Sequence, residues 1–154
     1  MSDNDQWYFA YGSNLSLDQK IARSGDIRSA LSCFLRNYRL AFNKKSYKND
    51  EVFANIIPAT GEIVWGVAYL CNNEALRKMD ICEGVAGGHY ERFEVEVLTT
   101  DEDKLRAVTY VAGSEFLTDE KQPTADYLNK IISGAQQHKL PPDYIESIRQ
   151  LGKK

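Results

Sequence analysis

Two stretches of the chain are apolar almost without interruption, residues 7–11 (WYFAY) and 63–70 (IVWGVAYL). Such runs predict strands buried on both faces. Between them, residues 38–42 (YRLAF) place Tyr38, Leu40 and Phe42 on one face, and residues 52–57 (VFANII) predict a further strand. Residues 92–98 (RFEVEVL) alternate, with Phe93, Val95 and Val97 directed inward and Glu94 and Glu96 outward. Residues 105–112 (LRAVTYVA) pair with them as an antiparallel hairpin across the acidic turn TTDEDK. The pattern predicts about six strands.

Helical spacing appears in four places. Ser16 is placed to cap residues 17–23 (LDQKIAR), with Gln19 at the capping-box position. Asn73 is placed to cap EALRKM, where Leu76, Met79 and Cys82 recur as a buried stripe. From Thr124 to His138, Leu128, Ile131, Ile132 and Ala135 form one core-facing stripe. A last helix begins at Pro142, the favoured proline position, and carries Ile145, Ile148 and Leu151. Strands joined mostly by loops and hairpins, with little βαβ alternation, predict an α+β fold: a mixed, twisted, barrel-like β-sheet with a few flanking helices.

Composition narrows the class. A chain of 154 residues with 43% hydrophobic content fits one domain spanning 1–154, and at this size about 68–70% of the unfolded surface is buried on folding. The three cysteines, Cys33, Cys71 and Cys82, follow no disulfide, CxxC or zinc spacing, which fits a reducing, cytoplasmic setting. Cys82 is expected in the core. The N-terminal MSDNDQ is polar and acidic, unlike a signal peptide, and no apolar run reaches a membrane span. A net charge of -3 supplies no attraction for nucleic acid. Lys44, Lys45 and Lys48 in NKKSYKNDE adjoin Asp50 and Glu51 and are expected in a solvated loop.

Two segments carry candidate chemistry. After the first strand, Gly12, Ser13 and Asn14 lie just before a helix start, where consecutive backbone N–H groups form an anion-binding nest reinforced by the helix N-terminus. The plainer alternative, an ordinary turn with an Asx-type bond from Asn14, stays open here. The second segment is residues 79–93, MDICEGVAGGHYERF. Gly84 is placed to end a helix in the left-handed conformation, leaving Glu83 at its C-terminus. There the last carbonyls disfavour ionisation, as would any apolar walls and, if it faces the same way, Asp80 one turn back, which strengthens Glu83 as a base. A solvated helix end is the alternative. His89 and His138 are the only histidines and give thin support for a triad with Ser13. The spacing of Asp80, Glu83 and His89 matches no strong metal motif.

Together these segments resemble the gamma-glutamylcyclotransferase family, also called the AIG2-like fold. The resemblance rests on YGSNL at 11–15, VWGVAY at 64–69, EGVAGGHY at 83–90 and the tail PTADYLNKIISGAQQHKLPPDYIESI at 123–148, which occur in family order and span most of the chain. It implies a cytoplasmic enzyme that converts a small gamma-glutamyl amide into 5-oxoproline and a free amine or amino acid. No metal or organic cofactor, nucleic-acid partner or membrane is implied, and the family includes homodimers. By motif position Glu83 is the catalytic acid/base, Tyr11, Gly12, Ser13, Asn14 and Leu15 form the loop that holds the gamma-glutamyl group, and Tyr90 and Tyr127 line the pocket. His89 receives no catalytic role. The loop is neither the YGSL type of glutathione-degrading relatives nor the YGTL type of the gamma-glutamylamine branch, which leaves the leaving group unassigned. Two other readings share the same residues: a non-catalytic gamma-glutamyl or amino-acid binding module, and a cyclotransferase that removes a gamma-glutamyl protecting group from a biosynthetic intermediate.

Overall fold

The computed structural model describes residues 5–25, 28–46 and 48–153. The reading of MSDNDQ rests largely on residues 1–4, and Tyr47 belongs to the lysine-rich segment; both lie outside the described residues. Strands β1 (Gln6–Ala10), β2 (Ala30–Lys45), β3 (Val52–Cys71), β4 (Tyr90–Thr99) and β5 (Lys104–Ala112) form a closed barrel in the order β1-β3-β2-β4-β5. All neighbours are antiparallel except at the seam, where Trp7 and Tyr8 of β1 pair in parallel with Ala107 and Val108 of β5. Helices α1 (Leu17–Ser24), α2 (Asn73–Cys82), α3 (Ala125–Gln137) and α4 (Pro142–Leu151) flank it. Among the described residues no helix is long and apolar enough to cross a membrane.

The two uninterrupted apolar runs are buried on both faces along their middles, while Ile63 at the start of the second is exposed. Tyr8, Phe9 and Ala10 are consecutive and buried, and so are Val67, Ala68 and Tyr69. Side chains alternate across a strand, so three buried neighbours require cover inside and outside the barrel. Gly66 marks the closest approach of the two strands: a Cβ there would be driven into the Ala10 carbonyl oxygen and stand 2.8 Å from Phe9 Cε1.

The strand count falls from six to five because residues 52–57 and 63–70 belong to one strand. β3 runs through Pro58 and Gly61 and pairs with β2 in two registers, Arg36↔Ile63 on one side of the shift and Tyr38↔Pro58 on the other. The extra residues form a bulge: Gly61 takes φ +85° and donates its N–H to Asn37 Oδ1 at 3.0 Å, while Asn37 itself has φ +68°. A bulge of this kind bends a strand without ending it. β2 likewise extends to Lys45, so Lys44 is a buried strand residue rather than part of a solvated loop.

Three further expectations shift. Val95 and Val97 are buried, but Phe93, nearer the start of β4, is exposed and meets Tyr38 edge-on with centroids 6.2 Å apart. Asn72 rather than Asn73 caps α2, accepting the Ala75 N–H at 2.8 Å. Leu76 and Met79 are buried, but Cys82 is exposed, because the α2 stripe leaves the core one turn before the helix ends. The helices at 17–24, 125–137 and 142–151 bury the expected Ile131, Ile132, Ala135, Ile145 and Ile148.

Candidate active site

β1 delivers the chain to Tyr11 and Gly12, where a Cβ would stand 3.2 Å from that of Ala54. Residues Ser13–Leu15 then form a single 3₁₀ turn, with Leu15 N–H bonded to Gly12 O at 3.0 Å and Ser16 N–H to Ser13 O at 3.1 Å. Two side chains fix the turn from below: the Tyr69 hydroxyl donates to Asn14 O at 2.9 Å, and His138 Nε2 lies 2.9 Å from Leu15 O, which only a protonated nitrogen satisfies. Ser16 caps α1 through the Gln19 N–H at 3.4 Å. The Gln19 carboxamide does not complete the capping box; it donates to Ser13 Oγ at 2.6 Å and to Asn14 Oδ1 at 3.0 Å.

Asn14 is the hub. Its side chain is not spent on an Asx turn. Nδ2 lies 2.7 Å from the Tyr8 hydroxyl and 3.1 Å from Glu83 Oε1, while Oδ1 also accepts from Arg23 Nη1 at 3.2 Å. Arg23 Nη1 is 3.3 Å from the same Glu83 oxygen.

Glu83 closes α2, followed by Gly84 at φ +65° and ψ +35°, the left-handed end expected from the sequence. Its side chain is only 14% exposed. Burial raises its pKa above the ordinary carboxylate value; the Arg23 charge, the Asn14 hydrogen bond and the Lys44 charge pull it partly back. Asp80 does not contribute as expected. Its carboxylate is held by Arg92 at 2.8 and 2.7 Å and accepts the Tyr110 hydroxyl at 2.7 Å, so its charge is matched before it reaches Glu83.

Tyr90 and Tyr127 both grip the main chain of Ala54: the Tyr90 hydroxyl donates to Ala54 O at 2.8 Å, and the Tyr127 hydroxyl accepts the Ala54 N–H at 3.0 Å. The Tyr11 hydroxyl donates to Tyr110 O at 2.5 Å. Burial is the main cause that raises the pKa of Tyr8, Tyr11, Tyr90 and Tyr127, so these phenols stay neutral and act as fixed hydrogen-bonding groups.

Tyr11, Gly12, Ser13, Asn14, Glu83, Tyr90 and Tyr127 thus converge on one small cavity of about 40 Å³. Leu15 does not join them; it is fully buried and packs against Gly134 of α3. Ser13, Glu83, Tyr90 and Tyr127 also line an outer cleft of about 690 Å³, so the cavity opens into it. A cleft of about 760 Å³ beside α4 lies elsewhere, and its Arg39 is already paired with Glu120 at 2.7 Å. The site is therefore placed where the candidate residues converge rather than by volume. Neither histidine reaches Ser13 within hydrogen-bond distance among the described contacts, since His138 serves Leu15 and His89 faces Lys44 at 2.9 Å.

Arg23, Gln19 and Tyr8 belong to the site but are not singled out as site residues by the sequence, and Lys44, expected in a solvated loop, is buried beside it. Gln19 and Arg23 are four residues apart and share one face of α1, a detectable signal once the loop is suspected. For Lys44, the alternation that joins Leu40 and Phe42 on one face continues two residues farther.

Comparison with known proteins gives a consistent picture. The model of the AIG2-like family matches residues 63–148. A Homo sapiens protein named gamma-glutamylcyclotransferase is 28% identical over 148 residues, covering 94% of this chain and 77% of its own length. A solved structure described as gamma-glutamyl cyclotransferase superposes with a TM-score of 0.81 at 28% identity, covering 94% of this chain and 86% of that one. YkqA from Bacillus subtilis superposes with a TM-score of 0.86 at 24% identity over 99% of this chain and 55% of that one, a likeness of fold alone.

Proposed function

The chain belongs to the AIG2-like family, and on that premise we propose that it is a gamma-glutamyl cyclotransferase with Glu83 as its acid/base. One observation carries the reading: a buried carboxylate of raised pKa faces the Gly12–Asn14 turn across a small cavity that shares Ser13, Glu83, Tyr90 and Tyr127 with the outer cleft.

In a gamma-glutamyl substrate the α-amine is tethered to its own γ-carbonyl. Ring closure is intramolecular, and well-oriented reactions of this kind gain up to about 10⁵–10⁸ M in effective molarity. The difficult step is the proton, because the amine is an ammonium at neutral pH. Glu83 takes that proton; the freed nitrogen attacks the γ-carbon and forms the lactam C–N bond. The tetrahedral oxyanion collapses as Glu83 returns the proton to the departing nitrogen and the original amide C–N bond breaks; the second proton of the ring nitrogen then passes through the Glu83 carboxylate to the released amine, which leaves as its ammonium beside 5-oxoproline. Atoms and charge balance without any other reactant.

Burial makes Glu83 a stronger base than an exposed glutamate. Asn14 and Arg23 fix one of its oxygens, which leaves the other for the substrate ammonium. The amides of the 12–14 turn hold the α-carboxylate or the oxyanion, a role worth about 10²–10³ in turnover per donor in other enzymes. Neutral Tyr90 and Tyr127 form the wall through Ala54.

The deciding experiment is 5-oxoproline release from gamma-glutamyl amino acids, glutathione and gamma-glutamyl amines, with Glu83→Gln as control. Release that the control abolishes supports the enzyme. Unchanged ligand, bound but not cyclised, identifies a binding module instead.

A further inference from the structure

Each hydroxyl that lines the inner cavity has a proton to place. Those of Tyr11 and Tyr90 go to main-chain carbonyls, that of Tyr110 to Asp80 and that of Thr109 to Phe9 O. Ser13 and Tyr127 stand where the cavity meets the outer cleft. Tyr8 lines the inner cavity but not the outer cleft, and is 4% exposed. Its ring is held edge-on by Tyr110, centroids 5.5 Å apart, and by Tyr69 at 6.2 Å.

The direction of its hydrogen bond follows from a group that cannot accept. The Arg23 guanidinium only donates, so the Asn14 atom facing it at 3.2 Å is Oδ1, and Nδ2 is the atom 2.7 Å from the Tyr8 oxygen. An amide nitrogen also only donates. The Tyr8 oxygen therefore accepts from Asn14 and its own proton is left over; among the described contacts no acceptor takes it. A buried donor without an acceptor is costly. This one is held beside the base, because the same Asn14 nitrogen also donates to Glu83 Oε1 at 3.1 Å.

We propose that Tyr8 is the oxyanion donor of the reaction: its hydroxyl donates to the γ-carbonyl oxygen of the gamma-glutamyl group as that oxygen takes on negative charge. The inference rests on the cyclotransferase reading above, and it leaves the amides of the 12–14 turn to the α-carboxylate. The order of charges separates the two assignments. An α-carboxylate beside Tyr8 would face the ionised Glu83 from the moment of binding. The oxyanion forms only after the ammonium proton has passed to Glu83, whose carboxyl is then neutral. Arg23 acts through the same chain: it donates to Asn14, Asn14 to Tyr8 and Tyr8 to the oxyanion, and bonds that run in one direction strengthen one another. The phenol shares its proton without giving it up, since burial raises its pKa.

The test takes whichever compound of the gamma-glutamyl panel turns over fastest, together with its γ-thioamide, and follows release of the free amine by wild type and Tyr8→Phe. Thiocarbonyl sulfur accepts hydrogen bonds poorly, so a donor to this atom serves the oxygen compound far more than the sulfur one. The expected result for the oxygen compound is a kcat about 10²–10³-fold lower in Tyr8→Phe with KM little changed. The sulfur compound should lose much less, so the oxygen-to-sulfur rate ratio falls. A residue that only positions Asn14 or Glu83 slows both compounds alike. An unchanged ratio therefore overturns the inference, as does an unchanged kcat in a folded Tyr8→Phe. Should Tyr8→Phe fail to fold, a fluorotyrosine at position 8 keeps the ring and hydroxyl and makes the phenol a stronger donor; the ratio should then rise, and a constant ratio overturns the inference. Either failure removes only the role of Tyr8, whereas no turnover of any gamma-glutamyl compound by wild type removes the cyclotransferase reading and this inference with it.

Discussion

The side-chain amide of Asn14 lies 3.1 Å from Oε1 of Glu83, a residue 69 positions away in sequence. This bond joins the turn after β1 to the end of α2 and sets where the carboxylate points. Asn14→Ala is expected to lower turnover about 10²-fold, since an ångström of misplacement costs that much. It also removes the Asn14 bond from the Tyr8 hydroxyl and one of the acceptors of Gln19 and Arg23, a cost of about 1–3 kcal/mol. Steady-state kinetics and urea unfolding measure the two effects separately.

Glu83 is expected to weaken the fold it serves. Its pKa is raised in the folded protein by burial, so the neutral acid is the form the fold prefers. That preference stabilises fully below the ordinary carboxylate pKa and is lost as pH rises through the folded value. Glu83→Gln, which cannot ionise, should lose about 10²–10⁴ in turnover yet melt at a higher temperature than wild type at pH 7. Calorimetry should show that advantage narrowing toward pH 4. A variant less stable than wild type at pH 7 would mean that the Arg23 pair outweighs the burial penalty.

Arg23 is the largest influence holding the Glu83 pKa down. Removing its charge with Arg23→Met should move the acid limb of the kcat/KM profile to higher pH, because protonation of the base then begins earlier as pH falls. A limb that stays in place would show that another group governs it.

Gly66→Ala should destabilise the barrel by about 1–3 kcal/mol or more, since the added methyl meets the Ala10 carbonyl and the Phe9 ring. A backbone oxygen in a paired strand cannot rotate aside. Thermal melts of this variant should fall well below those of Gly61→Ala, where a Cβ meets nothing within 4 Å and the cost is confined to its positive φ.

The sequence made the site legible where chemistry is local. Gly84 ends α2 through its own conformational freedom, and Ser16 caps α1 within three residues, so both candidate segments are visible in a short window. Asp80 was misjudged because its partner, Arg92, arrives from β4, and no window around Glu83 contains that geometry. The merged β3 was hidden because residues 58–62, with Pro58 and Gly61, interrupt the apolar pattern, whereas Asn37 on the neighbouring strand accepts the Gly61 N–H and keeps the pairing in step. The burial of Lys44 was hidden for a similar reason: three rings from separate segments enclose it.

Closure of the barrel between its first and last strands also governs when the protein becomes competent. Thr109 Oγ1 donates to Phe9 O at 2.7 Å, and Tyr11 is tied to the Tyr110 carbonyl, so β5 anchors the strand that presents the turn. During synthesis β1 emerges early and waits for β5 and its side chains. A chain halted before residue 104 displays an unpaired β1 edge, which is a template for association with other chains. Contacts this distant in sequence slow folding, so the newly made protein gains its reactive carboxylate geometry only when the seam zips shut.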